Sequence, residues 1–306
     1  MKVKRIMGMV ASLVMAITAA HAEEVTVVKN VLGPEGPLYV HGNLYYVAWT
    51  TGTLNKWDGK KSTVLNDAKN CGHNGLALTK QNTFLIMCSA DPGAIIETDI
   101  NGKEIRRWTA DNRGNKFVGG LNDVVVAKNG GAYATIFGPN TDLPTLVEGK
   151  ILYLAPGAKD WIDVADDLNY ANGVAVSPDQ KTLYVSETVG NSMKKFTINP
   201  DGTLSNRANY ALLNILVKDK VPSPWLGPDS MKVDHEGNVY IAQWSGGKVL
   251  KIAPDGKLLH TFEIAAGEGT TNVSLTDDEK YIYVTVVKDP KSKDGAGSIV
   301  KIPNAN

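Results

Sequence analysis

The sequence predicts an all-β protein, a six-bladed β-propeller whose ring of blades is closed by the N-terminal strand. Three observations lead to this fold class. A unit of short strands recurs six times, with a period of about 40–50 residues that is typical of propeller blades. Turn sequences separate the strands at regular intervals. No long segment shows the 3.6-residue apolar periodicity of an amphipathic helix.

The repeat is clearest in the copy that begins at Gly227. Its strands are predicted at MKVD, VYIAQW and KVLKI, which are short and rich in β-branched or aromatic residues. The first two are separated by HEGN, which has the composition of a hairpin turn. Similar copies begin at Gly33, His73 and Ala171, and less regular copies begin at Gly119 and Gly269.

The two ends of the chain complement each other. The last copy stops at its third strand, SIVKI, and therefore lacks an outer strand. The segment VTVVKN at 25–30 is an unassigned strand that can supply it, and closure of this kind leaves no open sheet edge. Residues 23–306 are accordingly predicted to form one propeller domain. The longest insertions, at 139–148 and 208–224, are expected between strands.

The first 22 residues have the pattern of a cleaved signal peptide. A positively charged start precedes an apolar run of 15 residues, which is short for a membrane span. The small-x-small sequence Ala20-His21-Ala22 follows as a cleavage site. The mature protein is therefore predicted to be periplasmic or secreted, with an uncleaved anchor as the alternative.

The composition also limits the partners. Without the three basic residues of the leader, the chain has 29 basic and 32 acidic residues, a net charge of −3. That balance predicts no nucleic-acid partner and no membrane binding after cleavage. We expect a small-molecule substrate and a monomer or weak dimer. The two cysteines, Cys71 and Cys88, are either a disulfide of an oxidising compartment or two buried thiols, and two cysteines alone do not resemble a zinc site.

Each copy carries a carboxylate or carboxamide near the start of its first strand. The first strands of propeller blades line the central channel, so these side chains should meet on one face. Asn and Asp are poor strand formers, and their oxygens suit a hard cation, which predicts calcium or another divalent ion. Capping of strand starts is the alternative explanation. The residues are Glu35, Asn74, Asn122, Asn172, Asp229 and Asn272.

Several motifs surround these positions in a fixed order. They include Gly-Pro-Glu35-Gly-Pro, Asn74-Gly-Leu, Asn122-Asp-Val-Val-Val, Ala-Asn172-Gly-Val-Ala-Val-Ser-Pro-Asp and Gly-Pro-Asp229-Ser-Met-Lys-Val-Asp. Together they resemble the gluconolactonase / senescence-marker-protein-30 family over essentially the whole mature chain. The resemblance implies a calcium-dependent hydrolase, most simply a lactonase that opens a sugar-acid or other small lactone. It also implies that the catalytic calcium is held by Glu35, Asn122, Asn172 and Asp229.

The chain departs from the family pattern at three places. Some members have an arginine just before the Asn-Asp pair, where this chain has Gly119-Gly120-Leu121. Ser230 follows Asp229 where glycine is usual, and Thr135-Ile136-Phe137 replaces the Thr-Asp-Pro of bacterial relatives. These differences leave the predicted metal ligands in place and leave the identity of the lactone open.

We assign the catalytic roles as follows. A calcium ion with open positions can polarise a carbonyl and orient water. Asp229 is the expected base or nucleophile, Asn122 a catalytic ligand, and His73 a second candidate base, with a structural turn histidine as its alternative. Asn74 and Asn272 are expected to face the substrate. The ends of the second strands should wall the pocket with Trp49, Phe137, Glu187 and Trp244.

Three functional hypotheses follow from this site. The first is the calcium-dependent lactonase. The second is a phosphotriesterase-type hydrolase with the same ion, which the sequence cannot separate from the first. The third is a non-catalytic periplasmic propeller in which calcium is structural, which predicts calcium-dependent melting without turnover.

Overall fold

The computed structural model describes residues 23–143, 146–219 and 223–305. The predicted signal peptide at 1–22 lies outside these residues. Within them the chain forms six antiparallel four-stranded sheets and one short helix, which confirms the all-β six-bladed propeller. The first strands of successive sheets contact one another in a closed circle, so they form the wall of the central channel. The described part of the chain contains no helix with the length and apolarity of a membrane span.

The first three blades run from the inner to the outer strand in chain order. Blade 1 consists of β2 (Pro34–Val40), β3 (Asn43–Ala48), β4 (Thr53–Trp57) and β5 (Ser62–Asp67). Blade 2 consists of β6 (His73–Leu78), β7 (Phe84–Cys88), β8 (Ala94–Thr98) and β9 (Glu104–Trp108). Blade 3 consists of β10 (Leu121–Val126), β11 (Ala132–Ile136), β12 (Gly149–Leu154) and β13 (Ile162–Leu168).

Blades 4 and 5 repeat this order. Blade 4 consists of β14 (Ala171–Val176), β15 (Thr182–Glu187), β16 (Ser192–Ile198) and β17 (Leu204–Leu212), followed by the helix α1 (Leu213–Leu216). Blade 5 consists of β18 (Gly227–Val233), β19 (Val239–Trp244), β20 (Lys248–Ile252) and β21 (Leu258–Glu263). The insertion predicted at 208–224 therefore does not lie wholly between strands. Its first residues belong to β17, which extends to Leu212, and the next ones form α1.

Blade 6 closes the circle as expected from the sequence. It consists of β22 (Gly269–Leu275), β23 (Tyr281–Val287), β24 (Ala296–Pro303) and, from the other end of the chain, β1 (Val25–Leu32). β1 pairs antiparallel with β24, from Val25 opposite Lys301 to Leu32 opposite Ala296. The outer strand of the last blade is thus supplied by the N-terminal segment, and the first and last parts of the described chain hold each other in one sheet.

Apolar side chains fill the spaces between neighbouring blades. Blades 2 and 3 share a cluster in which Trp108 and Trp161 meet edge to face, with ring centroids 6.1 Å apart. Cys71 and Cys88 form a disulfide that ties the segment before β6 to the end of β7. The disulfide decides between the two alternatives that the sequence left open for the cysteines. It also cross-links blade 2 next to the channel mouth.

Candidate metal centre and active-site cavity

A cavity of about 380 Å³ lies at the mouth of the central channel. Five of the six carboxylates and carboxamides picked out by the repeat line it, so the fold brings them together as the alignment of copies predicts. The side chains are Glu35, Asn74, Asn122, Asn172 and Asp229.

A β-bulge in each inner strand aims these side chains. In all six blades the pairing register between the first and second strands shifts next to the selected residue, for example between Glu35 and Leu38 and between Pro228 and Met231. A bulge inserts one unpaired residue and bends the strand locally, which can turn a side chain out of the sheet. The same irregularity in every blade therefore turns polar residues toward a common axis.

Glycines after three of these residues allow the inner strands to approach closely. A Cβ on Gly75 would lie 2.5 Å from the Cα of Asp123, and one on Gly173 would lie 2.6 Å from the carbonyl oxygen of Asp229. Gly36 has the same constraint and a positive φ of 50°. The Asn-Gly and Glu-Gly pairs of the sequence thus reflect tight packing around the channel mouth.

Glu35 is held by a buried carboxamide. Its side chain is 2% exposed, and its Oε2 accepts a hydrogen bond from Nδ2 of Asn272 at 2.8 Å and a short one from the Gly36 N–H. Burial, with the negative charge of Asp123 adding to it, raises the pKa of Glu35 to about 8. A carboxylate kept in this environment gains strongly from a nearby cation.

Asn272 does not face the cavity, which corrects the prediction that it lines the substrate pocket. Its side chain is fully buried, Nδ2 donates to Glu35, and Oδ1 accepts from the Val273 N–H at 2.8 Å. Both ends of the amide are therefore engaged within the protein. Asn272 orients Glu35, and Thr271, its neighbour in the chain, lines the cavity instead.

Asn172 is oriented by hydroxyl groups of the neighbouring strands. Its Nδ2 donates to Oγ1 of Thr188 at 3.1 Å, and that hydroxyl donates to the carbonyl of Pro228 at 2.8 Å. The amide nitrogen is thereby fixed toward blade 5. This leaves Oδ1, which has only a long 3.4 Å contact from the Ser230 hydroxyl, as the freer end of the group.

Asp229 and Asp123 complete a group of buried acids around Glu35. Burial and the charge of Glu35 raise the pKa of Asp229 well above its usual range, while the Asn172 amide opposes the shift. Burial also raises the pKa of Asp123, against the favourable charge of Lys232. Asp123 is not among the residues predicted from the repeat, although its position beside Asn122 in an Asn-Asp pair is a signal that could identify it.

Two carboxamide oxygens show how well the site fits a cation. Oδ1 of Asn74 and Oδ1 of Asn122 are buried and have no hydrogen-bond partner within the described part of the protein. A buried oxygen without a partner is costly, and a bound ion is one of the few ways to satisfy it. Oδ1 of Asn122, with the carboxylates of Glu35 and Asp229 and Oδ1 of Asn172, is an all-oxygen group of the kind that calcium prefers, and Oδ1 of Asn74 is open to a ligand in the same cavity. Within the described ranges no three His, Cys, Asp or Glu side chains could share an ion, so any cation here depends on the carboxamides.

Five aromatic side chains also line the cavity. Trp49, Phe137 and Trp244 line it as expected, and Trp225 joins them from the segment before β18. Tyr170, which is not predicted from the repeat, contacts both Phe137 and Trp225. It precedes β14 with a positive φ of 54°, and nothing in the repeat marks it as a wall residue.

His73 and Glu187 do not line the cavity, which corrects both predictions. His73 is fully buried opposite Cys88, and burial lowers its pKa to about 4, so it stays neutral and cannot reach the substrate as a base. Glu187 is buried in blade 4, where it forms ion pairs with Lys194 at 3.1 Å and Arg207 at 3.2 Å. Its role there is structural, and Thr188 is the residue of that strand end that lines the cavity.

Comparisons with known proteins agree with this architecture. A family model described as SMP-30/Gluconolactonase/LRE-like region matches residues 33–288. The chain is 31% identical over 172 residues to a protein named Lactonase drp35 from Staphylococcus saprophyticus, an alignment that covers 55% of this chain and 49% of the relative. The chain thus matches about half the length of the curated relatives of this kind.

Two solved structures are similar over nearly the whole chain. A gluconolactonase from Xanthomonas campestris superimposes with a TM-score of 0.73 and 25% identity, covering 94% of this chain and 92% of that one. A calcium-binding protein, regucalcin from Agrobacterium tumefaciens, superimposes with a TM-score of 0.72 and 20% identity, covering 91% and 93%. At that lower identity the second similarity establishes the shared fold.

Proposed function

Because the chain belongs to the SMP-30/gluconolactonase/LRE-like family, we propose that it is a lactone hydrolase that uses one divalent cation, calcium, at the mouth of its channel. The observation that carries this proposal is the buried Oδ1 of Asn122, which has no hydrogen-bond partner among the described residues and lines the same cavity as two carboxylates of raised pKa. The relatives named lactonase and gluconolactonase support the reaction class.

Glu35, Asn122, Asn172 and Asp229 are the residues that would hold the ion. When bound, calcium supplies Lewis acidity that polarises the carbonyl oxygen of a lactone. Asn272 keeps the Glu35 carboxylate in place, and Thr188 keeps the Asn172 amide in place. These contacts fix the donor atoms before a ligand arrives, so little reorganisation is needed on binding.

Asp229 is the residue we assign to proton transfer. Its burial beside Glu35 raises its pKa, so its carboxylate accepts a proton from water more readily than an exposed aspartate, whereas a cation beside it shifts the pKa the other way. The balance of these two effects sets the base strength. His73 takes no part, because it is buried behind the wall.

The aromatic side chains give part of the cavity an apolar surface. Asn74 and Ser89 provide polar contacts on the blade 2 side of the cavity. A cavity that combines aromatic side chains with converging polar groups is typical of a small-molecule site. The disulfide between Cys71 and Cys88, together with the leader sequence, supports an oxidising location such as the periplasm.

The test is hydrolysis of a panel of γ- and δ-lactones by the mature protein, with calcium and with chelator, alongside Asp229→Asn. Chelator-sensitive turnover that is lost in the variant, while its melting curve stays cooperative, supports the proposal. Turnover that persists in chelator or in the variant contradicts it. Melting that rises with calcium without any turnover favours the non-catalytic calcium-binding propeller, and activity on phosphotriesters alone favours the second hydrolase hypothesis.

A further inference from the structure

We propose that Phe137, Tyr170 and Trp225 form a subsite for an apolar, uncharged arm of the lactone. In consequence the enzyme selects alkyl- or aryl-substituted lactones over polyhydroxylated and anionic ones. This inference rests on the proposed lactone hydrolysis and names the substrate class that this cavity accepts.

The three rings form one continuous surface of the cavity. Phe137 and Tyr170 are stacked with centroids 4.9 Å apart and an angle of 25° between their planes. Trp225 meets Tyr170 edge to face at 5.0 Å. Stacked and edge-to-face contacts hold aromatic rings in fixed orientations, so the surface is preorganised for a flat or aliphatic group. The two buried acids at the cation site, Glu35 and Asp229, line the same cavity.

The charges around the cavity disfavour an anionic substrate. Among the described residues, no lysine, arginine or histidine lines the cavity, whereas Glu35 and Asp229 both do. On an arm that lies against the three rings, away from the proposed ion, a carboxylate or phosphate would find no cationic side chain among the described residues that line the cavity. Unpaired charge of this kind is a common basis for rejecting a ligand.

The backbone before Asn122 leaves no room for a polar side chain on this wall. Gly120 has a φ of 77°, and a Cβ at this position would lie 2.7 Å from Cζ of Phe137. The position therefore cannot hold a larger residue without moving the phenyl ring. The edge of the Phe137 ring therefore occupies the space next to the Gly120 backbone.

The expected selectivity follows from the apolar area that a substrate arm would bury. Each methylene group buried against the rings should improve binding by roughly fourfold. An alkyl chain of several carbons or a fused benzene ring should therefore raise kcat/KM by at least about tenfold over a polyol of similar size.

The experiment compares the wild type with Trp225→Ala and with Trp57→Ala, a matched control in an outer groove of blade 1. We measure kcat/KM for a benzo-fused δ-lactone, an alkyl δ-lactone, gluconolactone and a carboxylate-bearing γ-lactone. We expect Trp225→Ala to lower the values for the first two by about tenfold and the value for gluconolactone by less than about twofold. Trp57→Ala should change none of them. Equal losses for all lactones, or a wild-type preference for the polyol or the acid, would overturn the inference while leaving hydrolysis itself intact.

Binding gives a second readout that does not depend on turnover. An alkyl-substituted δ-lactam and a polyhydroxylated δ-lactam are titrated calorimetrically into the calcium-loaded protein and into Trp225→Ala. Tighter binding of the alkyl lactam that disappears in the variant supports the subsite, even if no lactone is hydrolysed and the proposed function falls. Similar affinity for both lactams overturns it. The calcium affinity of Trp225→Ala should equal that of the wild type.

Discussion

Asn272 offers a direct way to perturb the candidate metal centre without touching a donor atom. Its amide donates a 2.8 Å hydrogen bond to Glu35, and its own side chain does not line the cavity. A hydrogen bond to a charged group contributes about 1.5–3 kcal/mol, and loss of a group that orients a metal ligand typically costs about 10–100-fold in affinity. Replacement by leucine keeps a similar volume and removes this contact. We therefore predict that Asn272→Leu weakens calcium binding by about 10–100-fold.

The assay is a calorimetric calcium titration at pH 8.5, which is above the raised pKa of Glu35 in the metal-free protein. The matched control is Asn55→Leu, because Asn55 is also a buried asparagine, and its amide donates to Thr53 in an outer part of blade 1. The control should lose some stability and keep the wild-type calcium affinity. Unchanged affinity in a folded Asn272→Leu protein, or an equal loss in both variants, would refute the reasoning.

Three further predictions concern stability. Replacing Cys71 and Cys88 by alanine releases a cross-link across 17 residues, so the free energy of unfolding in urea should fall by about 3 kcal/mol; an unchanged value would contradict the loop-entropy argument. In chelator, the folded protein retains a proton on Glu35 that the unfolded chain has released, because its pKa is raised from 4.5 to about 8. Its stability should therefore decrease by about 5 kcal/mol as pH rises from about 4.5 to about 8, and calcium should reduce the decrease; a melting temperature that stays flat in chelator would count against this. Glu187→Gln should cost roughly 2 kcal/mol of stability because Arg207 loses its counter-ion, with kcat/KM within about twofold of the wild type; loss of activity at full stability would restore a catalytic role for Glu187.

Much of the architecture could be predicted from the sequence because the same structural unit recurs along the chain. Strand, turn and strand recur with residues that favour each state, and the missing outer strand of the last copy identifies β1 as its partner. The polar residue near the start of each copy was also recognisable, because an asparagine or an acidic residue is unusual in an otherwise apolar strand. Five of the six such side chains do line one cavity.

The incorrect predictions concern residues at the ends of strands, where a shift of one position reverses the direction in which a side chain points. Glu187 pairs with Ala171, just as Cys88 pairs with His73, and in both blades the following residue, Thr188 or Ser89, is the one that lines the cavity. Because side chains alternate between the faces of a strand, a shift of one position moves a group from the cavity to the interior of a blade. The sequence shows the end of the strand but does not fix this register.

Asn272 was misplaced for a related reason. In blades 2 to 5 the selected residue lies inside the shifted stretch, whereas in blade 6 the shift lies between Thr270 and Asn272, so that Asn272 pairs with Thr285 and Thr271 takes the unpaired position. The amide is therefore turned toward Glu35. Tyr170 and Trp225 lie outside the regular strands, so the repeat carried no information about which way they face.

The most direct test of the account is a crystal structure of the calcium-loaded protein, with anomalous scattering recorded to locate the ion. The account predicts a single strong peak in the cavity, about 2.3–2.6 Å from oxygen atoms of Glu35, Asn122, Asn172 and Asp229. A peak bound elsewhere on the propeller, or no peak at saturating calcium with these four side chains in their present positions, would contradict the assignment of this site as the metal centre.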